Sequence, residues 1–300
     1  MKLTGLHILL TYQCNFECDH CFVWGSPWQS GTFTLSQLED VMAQAKEVGT
    51  VSSIYFEGGE PFLYYPVLLK AVDAAIGMGF EVGMVSNGYW ATTKVDAKVW
   101  LEPFAGKLVD FSVSSDLFHY DEMLSRHAVN ANQAAEDLGI PVGTISIAHP
   151  ETDQVQPAIG QLPADESGVM YRGRAAAKLV KHAPTYPWTE FDECPYEDLV
   201  EPGRVHLDPL GHLHICQGIS IGNLFEKPLK DICAEYEPEN HPVVGPLLTG
   251  GPAELVRQYD LPLKESFADA CHLCYTARLA MREKLPHLLT PDQVYGGFTA

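Results

Sequence analysis

The chain has 300 residues, 46% hydrophobic and 19% charged, enough to bury a large core in one big domain or two smaller ones. Its 39 acidic residues against 19 basic ones leave a formal charge of −20, which repels phosphate backbones and anionic bilayers and argues against a nucleic-acid or membrane partner. No apolar run approaches a membrane span, and residues 1–6 lack a secretory h-region and cleavage site, so a cytoplasmic location is expected.

Eight cysteines would suit a small disulfide-stapled protein, but this chain is long and its cysteines fall at metal-ligand spacing, which fits a reducing compartment. Up to about residue 176, strand-like and helix-like patterns alternate, the signature of β-α units around a parallel sheet. An apolar run at 6–11 predicts the first strand. The loop Cys14-Asn15-Phe16-Glu17-Cys18-Asp19-His20-Cys21 follows it. Thr34 and Gln37 make a capping box for a helix over 35–48, stopped by Gly49. Strands at 51–56, 80–85, 108–113 and 142–148 and helices at 66–78, 93–104 and 121–138 continue the pattern, and 169–171 is the expected sixth strand. Between 149 and 168, Pro150, Pro157, Gly160 and Pro163 leave room only for a loop or a single turn.

After about residue 181 the composition shifts: Pro184, Pro187, Pro195, Pro202 and Pro209 break the helical pattern and mark a boundary. Residues 205–207 and 213–215 alternate around Asp208-Pro209-Leu210-Gly211, a hairpin with a Pro-initiated turn. A short helix is expected at 228–236, irregular chain at 238–252, and a helix at 268–285 that carries Cys271 and Cys274.

The first cysteine set is spaced C-x3-C-x2-C. Three thiolates on one tight loop can hold three corners of an iron-sulfur cube and leave the fourth iron open; a zinc site completed by His20 or a distant ligand is the alternative. Gly58-Gly59-Glu60-Pro61 stands at the end of the second strand. With these two motifs the chain resembles, over essentially its whole length, the radical S-adenosylmethionine (radical SAM) enzymes. The resemblance implies an α/β fold: a partial (β/α)6 TIM-like barrel over residues 1–185, followed by a small β-hairpin-plus-helix iron-sulfur domain over 186–300. It implies that Cys14, Cys18 and Cys21 hold a 4Fe-4S cluster whose open iron chelates S-adenosylmethionine. Reductive cleavage would then give a 5′-deoxyadenosyl radical, with the electron drawn from a donor such as flavodoxin or ferredoxin.

The same resemblance sets the backbone of Gly58 and Gly59 beside the methionyl ammonium, with Glu60 fixing that loop. Asn87 falls near the methionyl carboxylate or the pocket wall, Ser114 and Asp116 by the ribose hydroxyls, and His20 beside the adenine, which the strand at 142–148 supports. Taken as residues alone, Gly58-Gly59 reads as a turn, and Asn87 and Ser114 read as loop caps. Arg172 and Arg174 read as ion-pair partners of acidic neighbours.

Cys194, Cys216, Cys271 and Cys274 form a second constellation, able to close a tetrahedral or cubane site. It resembles the twitch extension, the shortened SPASM domain, which holds one auxiliary 4Fe-4S cluster; no cysteine follows Cys274, so no second auxiliary cluster is expected. Cys233 reads as a buried structural thiol, with replacement of Cys194 as a ligand the alternative. Four protein thiolates leave no open iron, so the expected task is to accept an electron from a substrate radical. The outcome is a net two-electron oxidation, as in a small-molecule dehydrogenase. Such an oxidation releases a proton, and His206, His212 and His214 lie on the hairpin, but alternation puts polar residues on its wet face and no catalytic base is assigned. Only 13 residues precede Cys14. A leader-recognition domain is therefore not expected there, which favours a small substrate over the alternative, a maturase that oxidises or crosslinks a ribosomal peptide. A zinc-bound interaction protein without catalysis is the third reading.

Overall fold

The computed structural model describes residues 1–121, 124–148 and 168–297; the loop expected between 149 and 168 lies, up to residue 167, outside the described residues. β1 (Gly5–Leu9) leads to the cysteine loop, and then Thr34 caps α1 (Leu35–Val48), its hydroxyl accepting Gln37 N–H at 3.3 Å while the Gln37 side chain takes Thr34 N–H at 2.9 Å. Gly49 ends the helix at φ 79°. β2 (Ser53–Glu57), α2 (Tyr65–Gly77), β3 (Glu81–Ser86), α3 (Lys94–Leu101), β4 (Asp110–Ser114), α4 (Arg126–Asp137) and β5 (Val142–Ile145) follow. α4 begins five residues later than expected. Ser125 is its N-cap, accepting Ala128 N–H at 3.1 Å, while the Asp116 carbonyl holds His119 and Tyr120 in a separate turn.

β1 to β5 are parallel neighbours, so the sheet is mostly parallel. β2 and β4 alternate strictly: Ile54, Phe56, Phe111 and Val113 are buried with residues of α1 to α4, and Tyr55, Glu57, Ser112 and Ser114 take the other face. At the centre of this core Phe62 stacks on Trp90 at 4.6 Å and meets Trp100, Phe104 and Phe111.

The sixth parallel strand is not at 169–171. Arg172 N–H turns back to Met170 O at 2.7 Å and Tyr171 N–H goes to the Asp269 carboxylate at 3.1 Å, so this segment's donors are spent on a turn and a helix cap. Beyond α5 (Ala175–Lys178) and the two-residue β6 (Tyr186–Pro187), β7 (Arg204–Leu207) takes the place instead, pairing parallel with β1. β8 (His212–Cys216) and β9 (Ile219–Asn223) add antiparallel strands, giving the order β5-β4-β3-β2-β1-β7-β8-β9. The expected hairpin is therefore present, but it continues the main sheet.

α6 (Leu229–Glu235) agrees with expectation. Most of the chain expected to be irregular is α7 (Val244–Tyr259), broken only where Gly250 and Gly251 precede Pro252. β10 (Ser266–Phe267) pairs with β6, and Asp269 caps α8 (Ala270–Met281) by accepting His272 N–H at 2.6 Å. A second core joins α7, α8, Leu9, Tyr12, Ile215 and Ile219. Among the described residues no helix is long and apolar enough to cross a membrane.

Phe62→Ala removes the ring at the centre of the first core, so it should cost about 3–5 kcal/mol of unfolding free energy in urea titrations; a loss below ~1 kcal/mol would mean that the aromatic cluster does not hold the helices to the sheet.

Candidate functional site

Backbone pairing between β1 and β2 continues past both strands. Leu10 N–H donates to Glu57 O at 2.7 Å, Gly59 N–H to Thr11 O at 2.7 Å and Glu60 N–H to Gln13 O at 2.9 Å. Only glycine fits here: Gly58 has φ +139° and its Cβ would lie 2.5 Å from Thr11 O, while a Cβ on Gly59 would lie 2.1 Å from Gln13 O. This close approach of the chain to itself docks the entry of the cysteine loop beside Glu60.

Cys14 and Cys18 are buried and Cys21 is partly exposed. Cys14 Sγ accepts Phe16 N–H at 3.4 Å and the Asn87 amide at 3.6 Å, and Cys21 Sγ accepts Gly25 N–H at 3.2 Å. Burial first, then Glu60 and Cys21, pushes the Cys14 thiol up to about 12; burial and the two other thiols push Cys18 up as well. Arg174 closes the loop. The residue is 2% exposed; its guanidinium donates to Cys18 O and Gly25 O, each at 2.7 Å, and its backbone N–H donates to Cys21 O at 2.9 Å. The ion pair expected of Arg174 is replaced by this clamp.

Glu60 is fully buried and ties the loop to β3. It accepts Phe62 N–H at 2.9 Å, the Ser86 hydroxyl at 3.0 Å and Asn87 N–H at 2.7 Å. Burial pushes its carboxyl up to about 7 against these bonds. Asn87 also donates to Asn15 Oδ1 at 2.9 Å, so its amide reaches the cysteine loop.

Ser114 ends β4 half-buried. Asp116 is fully buried, and its Oδ1 accepts Phe118 N–H at 2.9 Å and lies 2.8 Å from His119 Nδ1, while Oδ2 accepts Ile147 N–H at 3.2 Å just past β5. His20 packs against Phe118 and His119, with ring centroids 4.6 and 5.2 Å away. Burial holds its pKa down at about 4, and its Nδ1 is buried without a hydrogen-bond partner. The imidazole is therefore neutral at physiological pH.

The structure brings the second set together: Cys194, Cys216, Cys271 and Cys274 line one cavity with Arg172, Glu197 and Arg278. Cys233 is elsewhere, in the first core, its carbonyl bound to the Met1 ammonium at 2.8 Å. Arg172 donates to Glu197 Oε1 at 3.0 Å, as expected of an ion pair, and also to Cys216 Sγ at 3.6 Å. Arg278 donates to Gln217 O at 2.7 Å and lies on α8 four residues after Cys274. Sequence reasoning passed over it, although Cys271, Cys274 and Arg278 share one helical face at spacings of three and four.

The hairpin histidines are not all on a wet face, because β7 to β9 belong to the main sheet. His214 is fully buried, its Nδ1 accepting Gly218 N–H at 3.3 Å and its Nε2 lying 3.1 Å from Asp208, which also accepts the Tyr12 hydroxyl at 2.9 Å. This links the hairpin turn to the start of the cysteine loop. His206 lies 3.1 Å from Glu57, and His212 is partly buried.

A model of the Radical SAM superfamily matches residues 8–158. The chain belongs to the radical SAM superfamily. Membership implies a 4Fe-4S cluster and S-adenosylmethionine, and members of the family are enzymes. The chain is 25% identical over 113 residues, 37% of its length and 35% of the relative's, to the putative peptide biosynthesis protein YydG of Bacillus subtilis (strain 168). It is 36% identical over 87 residues, 29% of its length and 30% of the relative's, to the S-adenosylmethionine-dependent nucleotide dehydratase of Thermoplasmatales archaeon (strain ISO4-H5). It thus spans about a third of the length of these curated relatives. The solved structure of native anSMEcpe with bound AdoMet aligns over 98% of this radical SAM chain and 99% of its own, at 12% identity and a TM-score of 0.52, a likeness of fold.

Glu60→Gln would set an amide N–H against the Asn87 or Phe62 N–H, leaving buried donors unpaired; a loss of about 1–3 kcal/mol in thermal or urea unfolding is expected. Unchanged stability would show that Glu60 does not hold the loop to β3.

Proposed function

We propose that this chain is a radical SAM oxidoreductase with two iron-sulfur centres, one over residues 1–185 and one over 186–300. The observation that carries it is the convergence of Cys194, Cys216, Cys271 and Cys274 on a single cavity, apart from the C-x3-C-x2-C loop. When bound, a 4Fe-4S cluster and S-adenosylmethionine supply an electron and a 5′-deoxyadenosyl radical.

Cys14, Cys18 and Cys21 would hold the first cluster, with N–H donors from Phe16, Gly25 and Asn87 supporting negative sulfur. The Gly58-Gly59-Glu60-Pro61 segment docked beside the loop and the superfamily match favour a cubane over zinc. The methionyl ammonium is a donor and needs acceptors, a role that the carbonyls of Gly58 and Gly59 would take. Glu60 fixes the loop, and Asn87 lines the carboxylate side. His20 offers a neutral ring for adenine. Ser114 would meet the ribose, and Asp116 would act by orienting His119.

Cys194, rather than Cys233, is the fourth auxiliary ligand, and Arg172 and Arg278 offset the charge of four thiolates. Four protein ligands would leave no open iron on a second centre, whose chemistry would then be to take up one electron, the substrate's proton leaving to a base, for a net oxidation. A small-molecule substrate is the first reading; likeness to the putative peptide biosynthesis protein YydG supports a second, a ribosomal peptide.

Anaerobically reconstituted protein should hold about eight irons per chain and Cys271→Ala about four. Cys14→Ala should abolish reductive cleavage of S-adenosylmethionine, and Cys271→Ala should spare that cleavage while stopping product formation. Zinc without iron in the wild-type protein, or full turnover by Cys271→Ala, would refute the proposal.

A further inference from the structure

The sheet face turned away from α1 to α4 carries a polar cluster that neither cysteine set uses. His7 on β1, Glu57 on β2 and His206 on β7 come from three adjacent strands, with His7 opposite both Tyr55 and His206 in the registers. One ligand atom from each lies within 4.8 Å of the other two. His7 Nδ1 is 3.3 Å from Glu57 Oε2, and His206 Nε2 is 3.1 Å from Glu57 Oε1.

The two separations, which run to different oxygens of the one carboxylate, are close to the ligand–ligand edge of a tetrahedral metal. Nitrogen and oxygen ligands at ~2.0–2.1 Å stand ~3.3 Å apart around such an ion. A hydrogen-bonded network would give similar distances, but Glu57 Oε1 is buried and accepts no well-directed hydrogen bond, although an imidazole nitrogen is 3.1 Å away. His7 Nδ1 and Glu57 Oε2 are placed to hydrogen-bond, whereas Oε1 faces His206 without one and remains an acceptor for a third partner. His7 is also held in place: its ring stacks on Tyr55 at 4.8 Å and 11°, and Tyr55 lies over Gly83, where a Cβ would come within 2.2 Å of its ring. Glycine at 83 makes room for the ring that orients the ligand.

We propose that His7, Glu57 and His206 form a divalent transition-metal site, separate from both cysteine sets. Two neutral imidazoles and one carboxylate carry a single negative charge, which a divalent ion overcompensates, and the donor set is one that Zn2+ and non-haem iron share. Three protein ligands leave coordination open to an oxygen or nitrogen donor of a substrate. Glu57 is two residues before Gly59, ~7 Å along an extended strand. A group held there would lie near the Gly58–Glu60 segment.

The test uses the anaerobically prepared whole protein with its iron-sulfur centres, stripped of loose metal, titrated with Zn2+ and examined by zinc-edge X-ray absorption. One zinc per chain with a nitrogen/oxygen shell at ~2.0–2.1 Å is expected, with affinity falling at least ~tenfold in Glu57→Gln and in His206→Gln. Retention of no zinc, a sulfur shell at ~2.3 Å, or unchanged affinity in a folded Glu57→Gln would overturn the assignment. The wild-type absorption measurement decides the ligand set even if a variant fails to fold.

Discussion

Sulfur anions in a protein interior need positive partners, because desolvation alone pushes a buried thiol towards its neutral form. That constraint organises this molecule. Seven cysteines gather in two sets, and the short segment Arg172-Gly173-Arg174 touches both: Arg174 clamps the carbonyls of Cys18 and Gly25, and Arg172 reaches Cys216. Gly173, at φ +59°, is the joint. A Cβ there would lie 2.5 Å from Phe22 Cα, so only glycine lets the segment press against the first cysteine loop while its flanking arginines diverge.

The same economy of backbone fixes the entry to that loop. By extending the β1–β2 pairing through Gly58 and Gly59, the chain brings Glu60 under the loop, and Glu60 carries the connection on to Ser86 and Asn87 at the end of β3. Three consecutive strand ends are thereby locked to one another before any cofactor is considered. On the other side, Tyr12 and His214 share Asp208, which joins the loop to β7 and β8. A loop gripped from both sides can present its sulfurs with little reorganisation.

Local signals were legible in the sequence. The capping box at Thr34, the helix stop at Gly49 and the Pro-Leu-Gly turn at 209–211 each depend on a few neighbouring residues, and the structure places them as expected. What failed depended on distant partners. The sixth parallel strand went to 204–207 because the donors of 171–172 are taken by Asp269 and a tight turn, and no short window contains that competition. α7 was hidden by Gly250, Gly251 and Pro252, which interrupt a helix without abolishing it. Arg174 looked like a surface charge because its partners are carbonyls more than a hundred residues away in sequence. His7, Glu57 and His206 become neighbours only when β7 joins β1.

The sheet thus divides its labour. One face packs Ile54, Phe56, Phe111 and Val113 against helices, the other carries ionisable groups, and the strand ends between them hold the first cysteine loop. We propose that the two cysteine sets hold separate iron-sulfur centres, with residues 172–174 touching both. Iron-edge anomalous diffraction from anaerobically grown crystals containing S-adenosylmethionine tests it most directly. Two iron peaks are expected, one enclosed by Cys14, Cys18 and Cys21 with the nucleoside beside Gly58 and Gly59, the other enclosed by Cys194, Cys216, Cys271 and Cys274. A single iron peak, or a second one that includes Cys233 and excludes Cys194, would contradict the account.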